Sequence, residues 1–124
     1  MAIIKAKPID PNEEVIKGNL LKKNWYGNQQ LRFFVLYKSG KLIYYKDLTE
    51  QKGCLVLGPN CNVRKIGKNE IVFYDEEKTK PYHLLPPTPT DINLAEEKAK
   101  GHNNDIDDWL NKLKEVVEIV EYQH

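Results

Sequence analysis

The sequence predicts a mainly β domain: seven antiparallel strands in a two-sheet sandwich or barrel, capped by one C-terminal α-helix. Seven short runs rich in aromatic and branched residues follow one another between positions 15 and 85, each closed by turn residues. Beyond position 105 the apolar residues instead recur at three- and four-residue spacing, the period of a helix. Only a proline-rich and then polar stretch separates the two patterns.

Residues 1–14, with Pro8 and Pro11, read as an extended lead-in, and 15–121 as the domain. The strand candidates are 15–23, 31–38, 41–46, 53–57, 62–66, 70–74 and 81–85. Between them lie Tyr26-Gly27-Asn28, Ser39-Gly40, Gly58-Pro59-Asn60 and Gly67-Lys68-Asn69. Ser39-Gly40 between two aromatic runs marks a tight hairpin. Short connections throughout predict an antiparallel meander. Seven strands cannot easily bury both faces of one sheet, so they must fold into two packed sheets or a strongly bent barrel. Residues 86–104, opening on Leu85-Pro86-Pro87-Thr88-Pro89-Thr90, read as a long loop with one helical turn around 94–98. The helix is predicted at about 105–121. Ile106, Trp109, Leu110, Leu113, Val116, Val117 and Val120 form its apolar stripe, and Asn104 or Asp105 its cap. Asp107 and Asp108 complement the helix dipole in the first turn. Trp109 belongs to the core, where it plugs one end of the barrel.

A chain of 124 residues has room for one such domain, and 40% apolar with 30% charged residues is an ordinary globular composition. No apolar run approaches the roughly 20 residues of a membrane span. The opening Met1-Ala2-Ile3-Ile4-Lys5 is too short and charged for a secretory signal, and Ala2 excludes N-myristoylation from this start. Cys54 and Cys61 make no disulfide framework and read as small, buried or half-buried residues in a reduced, intracellular setting. Catalysis has no foothold. His83, His102 and His124 are scattered, none is spaced from a cysteine or carboxylate as a metal ligand, and no Gly-rich phosphate loop or nucleophile elbow is present. No cofactor and no metal is expected. The net charge of +1 conceals a polarity: residues 15–68 carry +9 and residues 69–124 carry −7. A fold that gathers the first half on one face offers a positive end to phosphates or anionic lipid. Arg64, Lys65 and Lys68 form a second basic group that reads as solvated surface. The acidic Asp75-Glu76-Glu77 is expected on a hairpin turn facing away from lipid.

These features in this order resemble the pleckstrin-homology family. The residues that carry the resemblance are Lys17-Gly18-Asn19-Leu20-Leu21-Lys22-Lys23, Arg32-Phe33-Phe34-Val35-Leu36 and Gly40-Lys41-Leu42-Ile43-Tyr44-Tyr45-Lys46. They continue with Lys52-Gly53-Cys54-Leu55, Tyr82-His83-Leu84-Leu85 and Asp108-Trp109-Leu110-Asn111-Lys112-Leu113. The match spans about 15–121 and includes the single tryptophan of the C-terminal helix. It implies two near-orthogonal antiparallel sheets capped by a helix, with a ligand site at the opposite, open end. Phosphoinositide-binding members show a lysine ending the first strand and a basic-x-arginine pair opening the second. Lys22 matches the lysine and Arg32 the arginine, while Gln30 replaces the middle basic residue and weakens the case for a multiply phosphorylated inositol. Tyr44 and Lys46 match positions that often join the headgroup site, and Lys23 and Lys41 are neighbouring contributors. Within the family, the compact loop 22–28 and the long segment before the helix are similar to the acylated pleckstrin-homology-domain proteins of apicomplexan parasites. That likeness implies phosphatidic acid as the lipid.

Lys22, Lys23, Arg32 and Lys46 fall at strand ends that the meander gathers into one rim, where a phosphate meets several charge-assisted donors. Each basic residue near an anionic surface contributes about 1 kcal/mol, so charge alone gives weak binding. Trp25 and Tyr26 at the loop tip are placed to enter the interfacial layer and add anchoring. The expected function is a non-enzymatic, monomeric membrane-targeting module, cytoplasmic and peripheral on the cytosolic face of a membrane. Its partners are anionic membrane lipids and no nucleic acid. The alternative is a module that takes a protein or peptide partner in an apolar groove between the fifth strand and the helix.

Overall fold

The computed structural model describes residues 13–122, apart from Trp25, Leu48 and residues 77–79, with no side-chain detail for the last two positions. Seven strands appear in the predicted order: β1 (Glu14–Lys23), β2 (Gln29–Tyr37), β3 (Lys41–Asp47), β4 (Glu50–Val56), β5 (Arg64–Ile66), β6 (Glu70–Tyr74) and β7 (Pro81–Leu85). Two helices follow, α1 (Leu94–Ala99) and α2 (Ile106–Tyr122). Every strand pairing is antiparallel. Glu14, assigned by sequence to the lead-in, already belongs to β1, and residues 1–12 lie outside the described residues.

The pairing order β4-β3-β2-β1-β7-β6-β5 corrects the simple meander. β4 and β5 are consecutive in the chain, yet they do not pair. The ladder continues instead through β1, which pairs β2 along its whole length and β7 only at Leu21–Lys23. One long strand therefore joins a four-strand half to a three-strand half. The inward rows are apolar: Ile16 and Leu20 on β1, Phe34 and Leu36 on β2, Leu42 on β3, Ile71 and Phe73 on β6, and Leu84 on β7. The α2 stripe closes this core as predicted, with Ile106, Trp109, Leu113, Val116 and Val120 buried and Leu110 and Val117 half-buried against it. Trp109 is fully buried, edge-on to Phe34 with ring centres 6.3 Å apart, and truncating such a residue costs about 3–5 kcal/mol. Asp105 caps the helix, its carboxylate accepting from the Asp108 N–H at 3.3 Å.

The stretch 86–104 is a built strap rather than a plain loop. Asn93 caps α1, accepting from the Glu96 N–H at 3.1 Å. Where β7 leaves β1, the backbone carbonyls of Lys17 and Asn19 would lose their partners. The Asn103 N–H (2.8 Å) and the Asn104 side-chain amide (2.9 Å) meet them instead. Gly18 is required at this crossing: a Cβ there would lie 2.1 Å from the Asn103 carbonyl oxygen. The Trp109 indole N–H donates to that same carbonyl at 2.6 Å, so strap, β1 and α2 meet at one peptide. On the outward face His102 packs on Phe33, ring centres 4.7 Å apart, and Glu97 is buried. The Glu97 carboxylate accepts from the side-chain amides of Asn19 and Asn104 and lies 2.9 Å from His102 Nδ1.

The cysteines divide. Cys61 is buried, as expected, with its sulfur 3.1 Å from the Gly58 amide nitrogen, whereas Cys54 is exposed. Cys54 pairs with Ile43 near the end of β4, an edge strand of the sheet among the described residues.

Candidate functional site

The inward rows that form the core turn polar at one end of the barrel. On β1 the row Ile16, Gly18, Leu20 ends in Lys22. On β2 the row Leu36, Phe34 leads back to Arg32, and on β3 Leu42 leads to Tyr44. β7 brings Tyr82 two positions before Leu84, the residue that pairs with Lys22. Antiparallel partners share a face, so these side chains converge on the mouth that α2 does not cover.

The Lys22 ammonium lies 5.5 Å from the centre of the Tyr44 ring and 5.7 Å from that of Tyr82. Lys80, just before β7, lies over the same Tyr82 ring at 5.4 Å. Burial, and then the charges of Lys80 and Arg32, hold the Lys22 ammonium below the ordinary lysine value. Burial pushes both phenols up; Tyr82, with Tyr44 and Asp75 adding to it, reaches about 12. Both rings are therefore neutral amphipathic walls at physiological pH. Gly53, paired with Tyr44, leaves room for that ring: a Cβ there would lie 2.5 Å from Tyr44 Cζ. Among the described residues no ion pair involves Lys22, Arg32 or Lys80. Lys22 and Lys80 share the Tyr82 ring, and Arg32, whose Nη1 donates to the Leu31 carbonyl at 2.9 Å, is near enough for its charge to act on Lys22 and Tyr44; cations gathered in this way favour an anion.

A cavity of about 690 Å³ opens beside them, lined by the Lys22–Asn24 end of β1, Tyr26 and Gly27, and the stretch 80–83. The β1–β2 loop is pinned by Asn24, whose side-chain oxygen accepts from the amides of Tyr26 and Asn28, both at 3.0 Å. Gly27 completes it with φ +90°, a conformation other residues rarely adopt. Tyr26 stands at the tip with 72% of its surface exposed; its neighbour Trp25 lies outside the described residues.

The structure thus brings together Lys22, Arg32 and Tyr44 from the sequence reading, with Tyr26 at the rim. Gln30 pairs with Lys22 across the strands and is exposed. Lys46 is exposed in a β-bulge at the same end, next to Asp47. Hydrogen bonds from Thr49 hold the Asp47 carboxyl low, which keeps a negative charge beside Lys46. Lys23 points to the outer face, 3.6 Å from Glu70, which also bonds His83 at 2.8 Å. Lys41 is not part of the cluster. It opens β3 at the opposite end, next to Gly40, whose neighbour is Val120 of α2. Lys80, Tyr82 and His83 join the site without having been proposed for it. The acidic turn also departs from expectation: Asp75 and Glu76 lie in the connection that ends at Lys80, at the site's end of the barrel. They pack toward Gly58 and the 54–56 stretch of β4, and Glu77 lies outside the described residues. The second basic group is partly tied down, since Lys65 bonds Asp107 of α2 at 2.7 Å.

No protein-family model matches this sequence, and neither does any curated protein sequence. Solved structures do match. The C-terminal PH domain of pleckstrin in complex with D-myo-Ins(1,2,3,4,5)P5 is 19% identical, with 84% of this chain and 98% of that chain covered and a TM-score of 0.62. The PH domain of human oxysterol-binding protein-related protein 11 is 20% identical, with 90% and 86% covered and a TM-score of 0.63. The Slm1 PH domain in complex with phosphoserine is 13% identical, with 85% and 96% covered and a TM-score of 0.61. At these identities the likeness establishes the fold: the chain has the architecture of a pleckstrin-homology domain.

Proposed function

We propose that this chain is a non-catalytic module that recruits its host to a membrane by binding an anionic phospholipid headgroup at the open end of the barrel. The observation that carries it is the convergence of Lys22, Arg32 and Lys80 around the Tyr44 and Tyr82 rings, with no described carboxylate paired to them. A phosphate entering there relieves the repulsion among the three cations and gains charge-assisted hydrogen bonds. The ligands of two fold neighbours, an inositol pentakisphosphate and phosphoserine, both carry phosphate on an organic alcohol, which is the same chemistry. With Gln30 where a third motif cation would stand, a small phosphomonoester such as phosphatidic acid, or a sparsely phosphorylated phosphoinositide, fits better than a densely phosphorylated one. Tyr26 at the rim adds interfacial contact. Such a module works peripherally, on the cytosolic face of a membrane. The peptide-binding alternative gains nothing: the Lys65–Asp107 ion pair crosses from β5 to α2, where an apolar groove would have to lie.

Co-sedimentation with vesicles of matched charge tests this, with phosphatidylserine, phosphatidic acid, or mono-, bis- and tris-phosphorylated phosphoinositides as the anionic lipid. Soluble inositol phosphates compete in a parallel arm, to separate the headgroup from the membrane. Lys22→Ala, Arg32→Ala and Lys80→Ala are each expected to weaken binding about tenfold, the loss of one charge-assisted contact. Wild-type binding that follows total charge alone, unchanged in all three variants, would reject a headgroup site.

A further inference from the structure

The outer wall of the cavity carries one carboxylate shared by two cationic side chains. Glu70 of β6 is 14% exposed at its side chain. One of its oxygens lies 2.8 Å from His83 Nδ1 on β7 and the other 3.6 Å from the Lys23 ammonium on β1. Strand pairing enforces the arrangement: Lys23 is opposite His83, and His83 is opposite Val72 on β6, two residues beyond Glu70. Both Lys23 and His83 line the cavity. The charged and titratable groups around His83 are Glu70 and Lys23, with Lys22, Lys80 and Tyr82 at the same cavity. Beyond β6, Arg64 of β5 stands opposite Val72. Glu70 is the acid bonded to His83, and Asp75 of the β6–β7 connection is a second acid, acting on Tyr82. With the imidazole neutral, Lys23 and Glu70 cancel and the wall has no net charge. With the imidazole protonated, Glu70 has two cationic partners and the wall carries +1.

We propose that Glu70 and His83 form an acid-sensitive gate on the anion-binding strength of this cavity, an inference that rests on the headgroup reading above. Protonation of His83 gives the Glu70 carboxylate a nearer cationic partner than Lys23, 2.8 Å against 3.6 Å, frees the Lys23 ammonium to face an anionic lipid, and adds a positive charge at the pocket's edge. Imidazoles as a class change charge between about pH 5 and 8, and that is the range across which the gate is tested. Glu70 also sets the affinity at neutral pH, because it neutralises Lys23.

The test uses the full chain and phosphatidylcholine vesicles containing phosphatidylglycerol, whose phosphodiester keeps its charge across this range. Wild type is expected to bind about fivefold more tightly at about pH 5.5 than at about pH 7.5, the effect of one added charge near an anionic surface. In His83→Gln, where the amide can still bond Glu70, the ratio is expected to fall to near one. Glu70→Gln is expected to bind more tightly than wild type at the higher pH, and it gives an independent readout should His83→Gln fold poorly. A wild-type pH ratio kept in full by a folded His83→Gln, or Glu70→Gln binding no better than wild type at the higher pH, overturns the gate. Lys22→Ala separates the two failures. If it binds these vesicles as well as wild type at both pH values, the headgroup site itself is lost. If it binds poorly while His83→Gln keeps the pH ratio, the site stands and the gate falls.

Discussion

Tyr44 shows how much of the site depends on a single missing methyl group. Its ring lies across Gly53, and the Lys22 ammonium lies above the ring. Gly53→Ala is expected to push the ring aside, costing about 1–3 kcal/mol as overpacking does. It is also expected to weaken vesicle binding, because Lys22 loses one of its two aromatic walls. Urea unfolding and co-sedimentation on the same protein check both effects, and a change in neither would mean the ring is not seated there. At this scale the sequence exposed part of the site. Lys22 and Arg32 are legible from their places at strand ends, and they, like Tyr44, from the positions they match in the pleckstrin-homology resemblance. Lys41 lies away from the cluster because β3 begins at the Ser39-Gly40 hairpin, which puts its first residue at the hairpin end and only its last at the mouth. Lys80 and Tyr82 come to Lys22 across the β1–β7 ladder, a closure that a bent barrel allows but that no residue of either strand marks. Long-range pairing of this kind leaves no local signal in a single sequence.

Among the elements, the strap 86–104 keeps its expected helical turn, as α1, and departs from its sequence reading in how closely it is bonded to β1. Its composition is that of a loop, but its asparagines and Glu97 replace the missing strand partner beside β1. One sequence signal was available, the unbroken run Phe33-Phe34-Val35-Leu36, since consecutive apolar residues imply that both faces of a strand are covered. Phe33 and Val35 are indeed buried on the outward side. Glu97 holds the strap. Burial works to raise its carboxyl, but hydrogen bonds from Asn19, His102 and Asn104 outweigh it and hold the group below the ordinary glutamate value of 4.5. Its stabilising contribution is therefore complete above that value and is lost as the pH falls through the lowered one. Glu97→Gln is expected to be about 1–3 kcal/mol less stable than wild type near neutrality, the cost of disrupting a buried charged hydrogen-bond cluster. The gap should close as the medium is acidified below the ordinary glutamate value. Urea midpoints for both proteins across that range measure it, and a gap that stays constant would show that the Glu97 charge does not hold the strap.

At the scale of the whole molecule, charge follows chain order only in part. The segment 15–68, with its charge of +9, builds β1 to β5, whereas most of the −7 of residues 69–124 lies on the strap and on α2. Charge is nevertheless not sorted from end to end: Lys41 lies at the α2 end, while Asp47, Asp75 and Glu76 lie at the mouth, so the pull on an anionic surface is expected to come from the Lys22, Arg32 and Lys80 cluster itself. The pull between exposed charges is screened over about 10 Å at 0.1 M salt and about 3 Å at 1 M. The contribution of Tyr26 to interfacial anchoring is apolar and is not screened. Vesicle binding is therefore expected to fall steeply over that salt range in wild type and to level off at a weak remainder. Tyr26→Ala should show the same slope without the remainder, whereas Lys22→Ala should show a shallower slope from a lower start. A wild-type affinity that barely changes with salt would mean that apolar contact, and not the cation cluster, holds the domain to the membrane.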